Sequence, residues 1–156
     1  MLQDDAVFCR GLKSFLEQAL WPEGNVGVVS VYCPQPYARR TGGFHRVDAG
    51  WEMAGAVACI FPNRAVRSLL THLPSLDHRR NGPDDGMRHV DSLIGRWAKD
   101  AVLTVYYHSP SLVQHIGTTS TVWPGATNWG LRHSHNFVGE DFDAMTLVTA
   151  PAEIKI

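Results

Sequence analysis

The sequence predicts an α/β domain, and two observations carry that prediction. The runs VGVVSVY (26–32) and VLTVYYH (102–108) are rich in β-branched and aromatic residues and read as strands, and the segments between them place apolar residues at helical spacing. Strands alternating with helices specify a layered architecture in which the helices cover a sheet. The chain has 156 residues, 44% of them hydrophobic and 19% charged, which suits one globular domain with a sizeable core.

Taken in order, residues 7 to 20 place Phe8, Leu12, Phe15, Leu16, Ala19 and Leu20 on one helical face, with Lys13, Glu17 and Gln18 opposite. Pro22 and Gly24 stop that helix. After the first strand, CPQPYARRTGGFHRVDAG (33–50) has prolines, glycines and no period, and reads as a long functional loop. AGAVACIF (54–61) reads as a short buried strand. Pro62 suits a helix start, and Ala65, Val66, Leu69, Leu70 and Leu73 supply the buried stripe that follows. LPSLDHRRNGPDDG, from residue 73 into a polar stretch over 74–86, reads as a second loop. A helix from about Met87 to Lys99 precedes the second strand, and beyond Pro110 the chain has little period.

Bulk properties exclude several classes. A formal net charge of -1 offers no basic face for nucleic acid. No apolar run approaches the roughly 20 residues that span a bilayer, and the N-terminus lacks the zones of a signal peptide. Cys9, Cys33 and Cys59 are an odd set without C-x-x-C spacing, so free thiols in a reducing compartment, the cytoplasm, are expected.

Three features could carry chemistry. Adjacent carboxylates at Asp4 and Asp5 repel, and a hard divalent cation relieves that repulsion; the alternative is that they cap a helix beginning near Ala6. In HVDSLIGRWAKD, at about 100° per residue, Met87, Val90, Leu93, Ile94, Trp97 and Ala98 share a sector, with Asp91 at its edge. A partly desolvated Asp91 would be a better proton acceptor; equally, it could pair with Arg88 or a backbone group. In SPSLVQHIG (109–117) the polar pair Gln114-His115 interrupts an apolar run, and His115 could be a metal ligand or simply a hydrogen-bonded histidine. His133 and His135 have ligand-like spacing but lie in an aperiodic stretch and are read as surface residues.

LQDDAVFCRGL, GWEMAGAVACIFP, VDSLIGRWAKD and above all YYHSPSLVQHIG, in that order, resemble a bacterial and phage glycosyltransferase family with the nucleotide-sugar-dependent GT-A fold. Strings similar to PSLVQHIG also occur in eukaryotic branching N-acetylglucosaminyltransferases, and NFVGEDFDA (136–144) is similar to the end of such domains. The resemblance implies a mixed sheet flanked by helices over 1–144, followed by a C-terminal tail over 145–156.

It also implies roles. Asp4 and Asp5 match an acidic motif at the end of a central strand that binds Mn²⁺ or Mg²⁺ against the donor's diphosphate, and His115 matches a histidine that completes the metal sphere. Asp91 matches the acid that deprotonates the acceptor hydroxyl in inverting members. Trp51, Gly55 and Ala56, within WEMAGA, fall where relatives line the sugar and acceptor pocket, and Gln114 joins that substrate-binding set; tight packing is the plainer reading of Gly55 and Ala56. The implied activity is metal-dependent, inverting transfer from a nucleotide sugar to a glycan or other hydroxyl acceptor.

One departure stands out. Members of the family carry a further Rossmann-like half ahead of the acidic motif, which here arrives at residue 4. The expectation is therefore a C-terminal part of the fold, its donor-binding half omitted or supplied by a partner chain. Two rival functions follow: a non-catalytic carbohydrate-binding or assembly remnant, and a small metal hydrolase using Asp4, Asp5 and histidines.

Overall fold

A computed structural model describes residues 5–47, 53–81, 90–117 and 133–149. The α/β expectation holds: a mixed four-stranded sheet is flanked by helices, and a two-stranded ribbon stands beside it.

The first described element is a strand, β1 (Ala6–Phe8), where the helical spacing of residues 7 to 20 predicts a helix to begin. Helix α1 (Leu12–Ala19) begins only after Gly11, whose φ of 68° turns the backbone where L side chains are disfavoured. The stripe Leu12, Phe15, Leu16 and Ala19 does pack inward, but Phe8 belongs to the ribbon. Strand β2 (Val26–Ser30) is buried at every residue, as a central strand requires. The expected loop at 33–50 contains a 3₁₀ turn at Gln35–Tyr37 and strand β3 (Gly43–Val47). The run AGAVACIF contributes only a two-residue strand, β4 (Cys59–Ile60).

Helix α2 (Asn63–Thr71) follows Pro62 as expected, but its buried stripe is narrow: Ala65 is enclosed, whereas Leu70 is 57% exposed. Leu73, expected to extend that stripe, is exposed and opens helix α3 (Leu73–Asn81), which replaces the expected polar loop over these residues. Helix α4 (Val90–Asp100) buries Leu93, Ile94, Trp97 and Ala98, the face its periodicity predicts. Val90, placed in the same sector, is exposed, and Met87 lies outside the described residues. Strands β5 (Thr104–Ser109) and β6 (Val113–His115) follow, and a short helix α5 (Thr146–Thr149) lies against α1.

The sheet order is β3-β5-β2-β4. Among its described strands β2 and β5 pair in parallel, and the chain between them forms β3 and β4 before α2, α3 and α4; β3 and β4 pair antiparallel on the outside. Alternation along the strands makes two faces, and a register irregularity between Val26 and Val28 turns Val26 to the same side as Val29. On one, Val28, Val105 and Tyr107 pack with Ala65 of α2 and Ile94, Trp97 and Ala98 of α4. On the other, Val26, Val29 and Tyr106 meet Leu20 and Phe44, and Phe44 stacks on Phe15 of α1 at 6.2 Å.

Beyond β5 the chain passes a cis Ser109–Pro110 bond and reaches β6, which pairs antiparallel with β1. The ribbon is anchored on the core, because Cys9 N–H donates to Leu112 O (3.1 Å) and Leu112 N–H to Val31 O (2.9 Å). Among the described residues no helix is long and apolar enough to cross a membrane. All three cysteines are buried, and none forms a disulfide. Desolvation pushes the Cys9 thiol up to about 11 and those of Cys33 and Cys59 to about 12, so none is a ready nucleophile.

Candidate functional site

Asp5 lies immediately before β1, six residues ahead of the first helix cap, Gly11, so it does not cap α1. The antiparallel register sets Ala6 opposite His115, and Ile116 N–H donates to Asp5 O at 2.8 Å. This closure brings the side chains together: His115 Nε2 is 2.9 Å from Asp5 Oδ2. The partner atoms Asp5 Oδ1 and His115 Nδ1 are buried without a hydrogen-bond partner among the described residues. Buried polar atoms are ordinarily satisfied, so two orphans on one contacting pair call for a ligand, an ion or a water.

Gly117 closes the third side. A Cβ there would lie 2.3 Å from Asp5 Oδ2 and 3.0 Å from His115 Cε1, so a side chain would fill the space the pair occupies. The glycine stands in the quoted PSLVQHIG string, yet only the folded ribbon reveals that its missing side chain is what gives the carboxylate room.

A carboxylate and an imidazole are donors that Mn²⁺ accepts, and Mg²⁺ accepts the carboxylate readily. The 2.9 Å spacing of Asp5 Oδ2 and His115 Nε2 suits two donors to one such ion, whereas His115 Nδ1 lies on the far side of the ring and faces away from it. Among the described residues no group of three or more His, Cys, Asp and Glu side chains is placed to hold a metal ion, and Asp5 with His115 is a pair of such donors. Asp4, expected beside Asp5, lies outside the described residues, as does Trp51.

Asp91 forms a second cluster, in the first turn of α4. Its Oδ2 accepts the Gly55 N–H at 2.9 Å and its Oδ1 accepts the Ser92 N–H at 2.9 Å. Backbone partners thus hold both oxygens, one of the two alternatives the sequence leaves open. The loop beside it is pinned by Tyr107, whose hydroxyl donates to Ala54 O (2.7 Å) and accepts from Ala54 N–H (3.0 Å). Gly55 has φ 73°, and a Cβ there would lie 2.5 Å from Tyr32 Cε1; its smallness accommodates this ring. Ala56 is buried in the core with Cys59 and Trp97. The packing reading describes the surroundings of both residues.

Gln114, on the opposite face of β6 from His115, is buried and fully engaged. Its Oε1 accepts the Ser134 N–H (2.9 Å) and the His115 N–H (3.1 Å), and its Nε2 donates to Ser134 O (2.8 Å). His133 is drawn toward this amide, at 3.3 Å, and is half-buried, whereas His135 is exposed as expected. Ser134, which sequence reading passes over, is buried and donates to Cys33 O at 2.8 Å. A serine between two histidines carries no apolar signal that would announce it as a core residue.

The sequence-predicted residues therefore assemble in three places: Asp5 with His115 on the ribbon, Asp91 with Gly55 at the start of α4, and Gln114 against the 133–136 segment. The fold and sites define a small α/β protein with a carboxylate–imidazole pair. No protein-family profile, curated protein or solved structure matches the chain.

Proposed function

We propose that this chain belongs to a metal-dependent GT-A-type glycosyltransferase and transfers a sugar from a nucleotide sugar to a hydroxyl acceptor with inversion. The observation that carries the proposal is the 2.9 Å approach of His115 Nε2 to Asp5 Oδ2, with an orphaned oxygen and nitrogen on the same two residues. The sequence motifs that resemble the family lie far apart in the chain, and their acid and histidine meet on one ribbon.

In this reading Asp5 and His115, with Asp4, would hold Mn²⁺ or Mg²⁺, which when bound would supply charge neutralisation for a diphosphate leaving group. Asp91 accepts the acceptor's hydroxyl proton as its oxygen bonds to the anomeric carbon and the bond from that carbon to the diphosphate breaks. The Gly55 and Ser92 N–H groups fix the carboxylate's orientation, and an ionised carboxylate has about four lone-pair sites, so acceptor sites remain beyond these two bonds. The resemblance puts Trp51, Gly55, Ala56 and Gln114 on the substrate side; Ala56 and Gln114 are buried and Gly55 packs on the Tyr32 ring, so these three would act by shaping the backbone rather than by touching substrate.

Titration calorimetry with Mn²⁺ and a nucleoside diphosphate, followed by glycan, tests the proposal. Saturable, Mn²⁺-dependent nucleotide binding supports the transferase. Glycan binding with no response to nucleotide and Mn²⁺ would instead make it a non-catalytic carbohydrate-binding protein. Hydrolysis of a phosphoester without any nucleotide sugar would favour a metal hydrolase.

A further inference from the structure

We infer that Gln114 is a positioning residue for His115, which makes the candidate metal site depend on the segment around Ser134. This inference rests on the metal reading above and deepens it. The Gln114 amide behaves as a surrogate strand: it exchanges two hydrogen bonds with the backbone of one residue, Ser134, at 2.9 and 2.8 Å. The same Oε1 accepts the His115 N–H at 3.1 Å. One side-chain oxygen thus ties the backbone of the imidazole-bearing residue to a segment 19 residues later in the chain.

The far side of that tie is itself fixed. Ser134 Oγ donates to Cys33 O (2.8 Å) and lies 2.9 Å from Asn136 Oδ1, and Asn136 Nδ2 donates to Ser109 Oγ (3.1 Å). Val138 N–H donates to Ser111 O (3.1 Å). The segment is thereby bonded to the end of β5 and to the extension of β2, which gives Gln114 a hydrogen-bonded support. On its other side, the His115 backbone is held by pairing with β1, including Ile116 N–H to Asp5 O. A metal-ligand histidine needs its ring fixed to a fraction of an ångström, and groups that orient ligands typically contribute 10- to 100-fold in metal affinity.

The test compares Gln114→Met, which keeps volume and loses every amide hydrogen bond, with Ser134→Ala, which keeps the backbone pairing to Gln114 and loses only the hydroxyl. Mn²⁺ affinity is read by electron paramagnetic resonance, and amide hydrogen exchange is read on the metal-free proteins. Gln114→Met is expected to weaken Mn²⁺ binding about 10- to 100-fold and to accelerate exchange at His115 N–H at least roughly tenfold, while cooperative thermal unfolding persists. Ser134→Ala is expected to stay within about threefold of the parent in affinity. An affinity for Gln114→Met within about threefold of the parent overturns the positioning role. A parent protein that binds no Mn²⁺ overturns the metal reading instead, and exchange at His115 then decides the tie by itself: unchanged protection in Gln114→Met sinks it.

Discussion

His115 Nε2 and Asp5 Oδ2 meet at 2.9 Å, although 109 other residues separate them in sequence (115 − 5 − 1). Antiparallel pairing of β1 with β6 makes the contact, and Gly117 leaves it room. Replacing either side chain with alanine is expected to weaken Mn²⁺ by more than the roughly 10- to 100-fold that loss of a supporting group costs. Neither variant should unfold, because the ribbon is held by backbone bonds and by the Cys9–Leu112 anchor. Calorimetry with Mn²⁺ and circular dichroism check the two halves of this statement, and unchanged affinity in both variants would remove the metal assignment.

Asp91→Asn separates chemistry from structure. Asn keeps a carbonyl oxygen able to accept one of the Gly55 and Ser92 N–H bonds and loses the proton-accepting charge. Turnover in a glycosyl-transfer assay should fall about 10²- to 10⁴-fold, the usual contribution of a positioned base, while nucleotide and Mn²⁺ binding stay unchanged. Full residual transfer would exclude Asp91 as the base.

Gly55 should tolerate no side chain. Its φ of 73° is costly for an L-residue, and a Cβ would sit 2.5 Å from the Tyr32 ring, which is itself fully buried and unable to retreat. The two effects together predict a loss of about 2–4 kcal/mol for Gly55→Ala. Urea unfolding measures it, and a change below about 1 kcal/mol would show that the loop relaxes.

How much of this was legible follows from which signals are local. The face of α4, including Leu93, Ile94, Trp97 and Ala98, and the central strands β2 and β5 were readable because period and composition coincide with burial. Strand β1 was not, since Phe8 happens to continue the apolar spacing of α1 and only pairing with β6 makes 6–8 extended. Strand β3 was hidden for a related reason: flanked by glycine and carrying His45 and Arg46, it owes its conformation to its partner β5. Helix α3 has a polar composition and no strong stripe, and begins where Leu76 N–H bonds to His72 O. In the site, residue types at Asp5 and His115 could be nominated from sequence, but their contact is a product of register. The roles of Gln114 and Ser134 depend on side-chain pairing to backbone, which leaves no periodic trace.

Stability should fall with acid through His108. The ring is buried between Phe15 and Phe44, with His45 nearby; its Nδ1 lies 2.7 Å from Pro110 O, and burial pushes its pKa down to about 4. The unfolded chain binds this proton near 6.5 and the folded one only near 4, so the unfolded state holds more protons between these values. The stability the neutral ring retains at neutral pH is lost progressively as pH drops from about 6.5 to about 4, in total about 3 kcal/mol. Urea unfolding across this range measures the slope, and His108→Gln should flatten it even though the variant is less stable at pH 7. An equal slope in both proteins would assign the acid sensitivity elsewhere.

Val102 offers a stabilising change. It follows the last turn of α4 with φ 55°, its N–H donating to Lys99 O (3.1 Å) while Leu103 N–H donates to Ala98 O (2.8 Å). These two bonds are the Schellman arrangement, in which the left-handed position is ordinarily glycine. A β-branched residue there bears the steric cost of that conformation, and at 79% exposure Val102 recovers almost nothing by burial. The Asn25 side chain bonds to the backbone oxygen of Val102, so that contact survives any substitution. Val102→Gly is therefore expected to gain about 1 kcal/mol in urea unfolding after the greater backbone entropy of glycine is subtracted. Val102→Ala should gain less, because alanine keeps the Cβ that opposes the left-handed turn. If alanine stabilises as much as glycine, the strain lies in the branched side chain rather than in the backbone conformation.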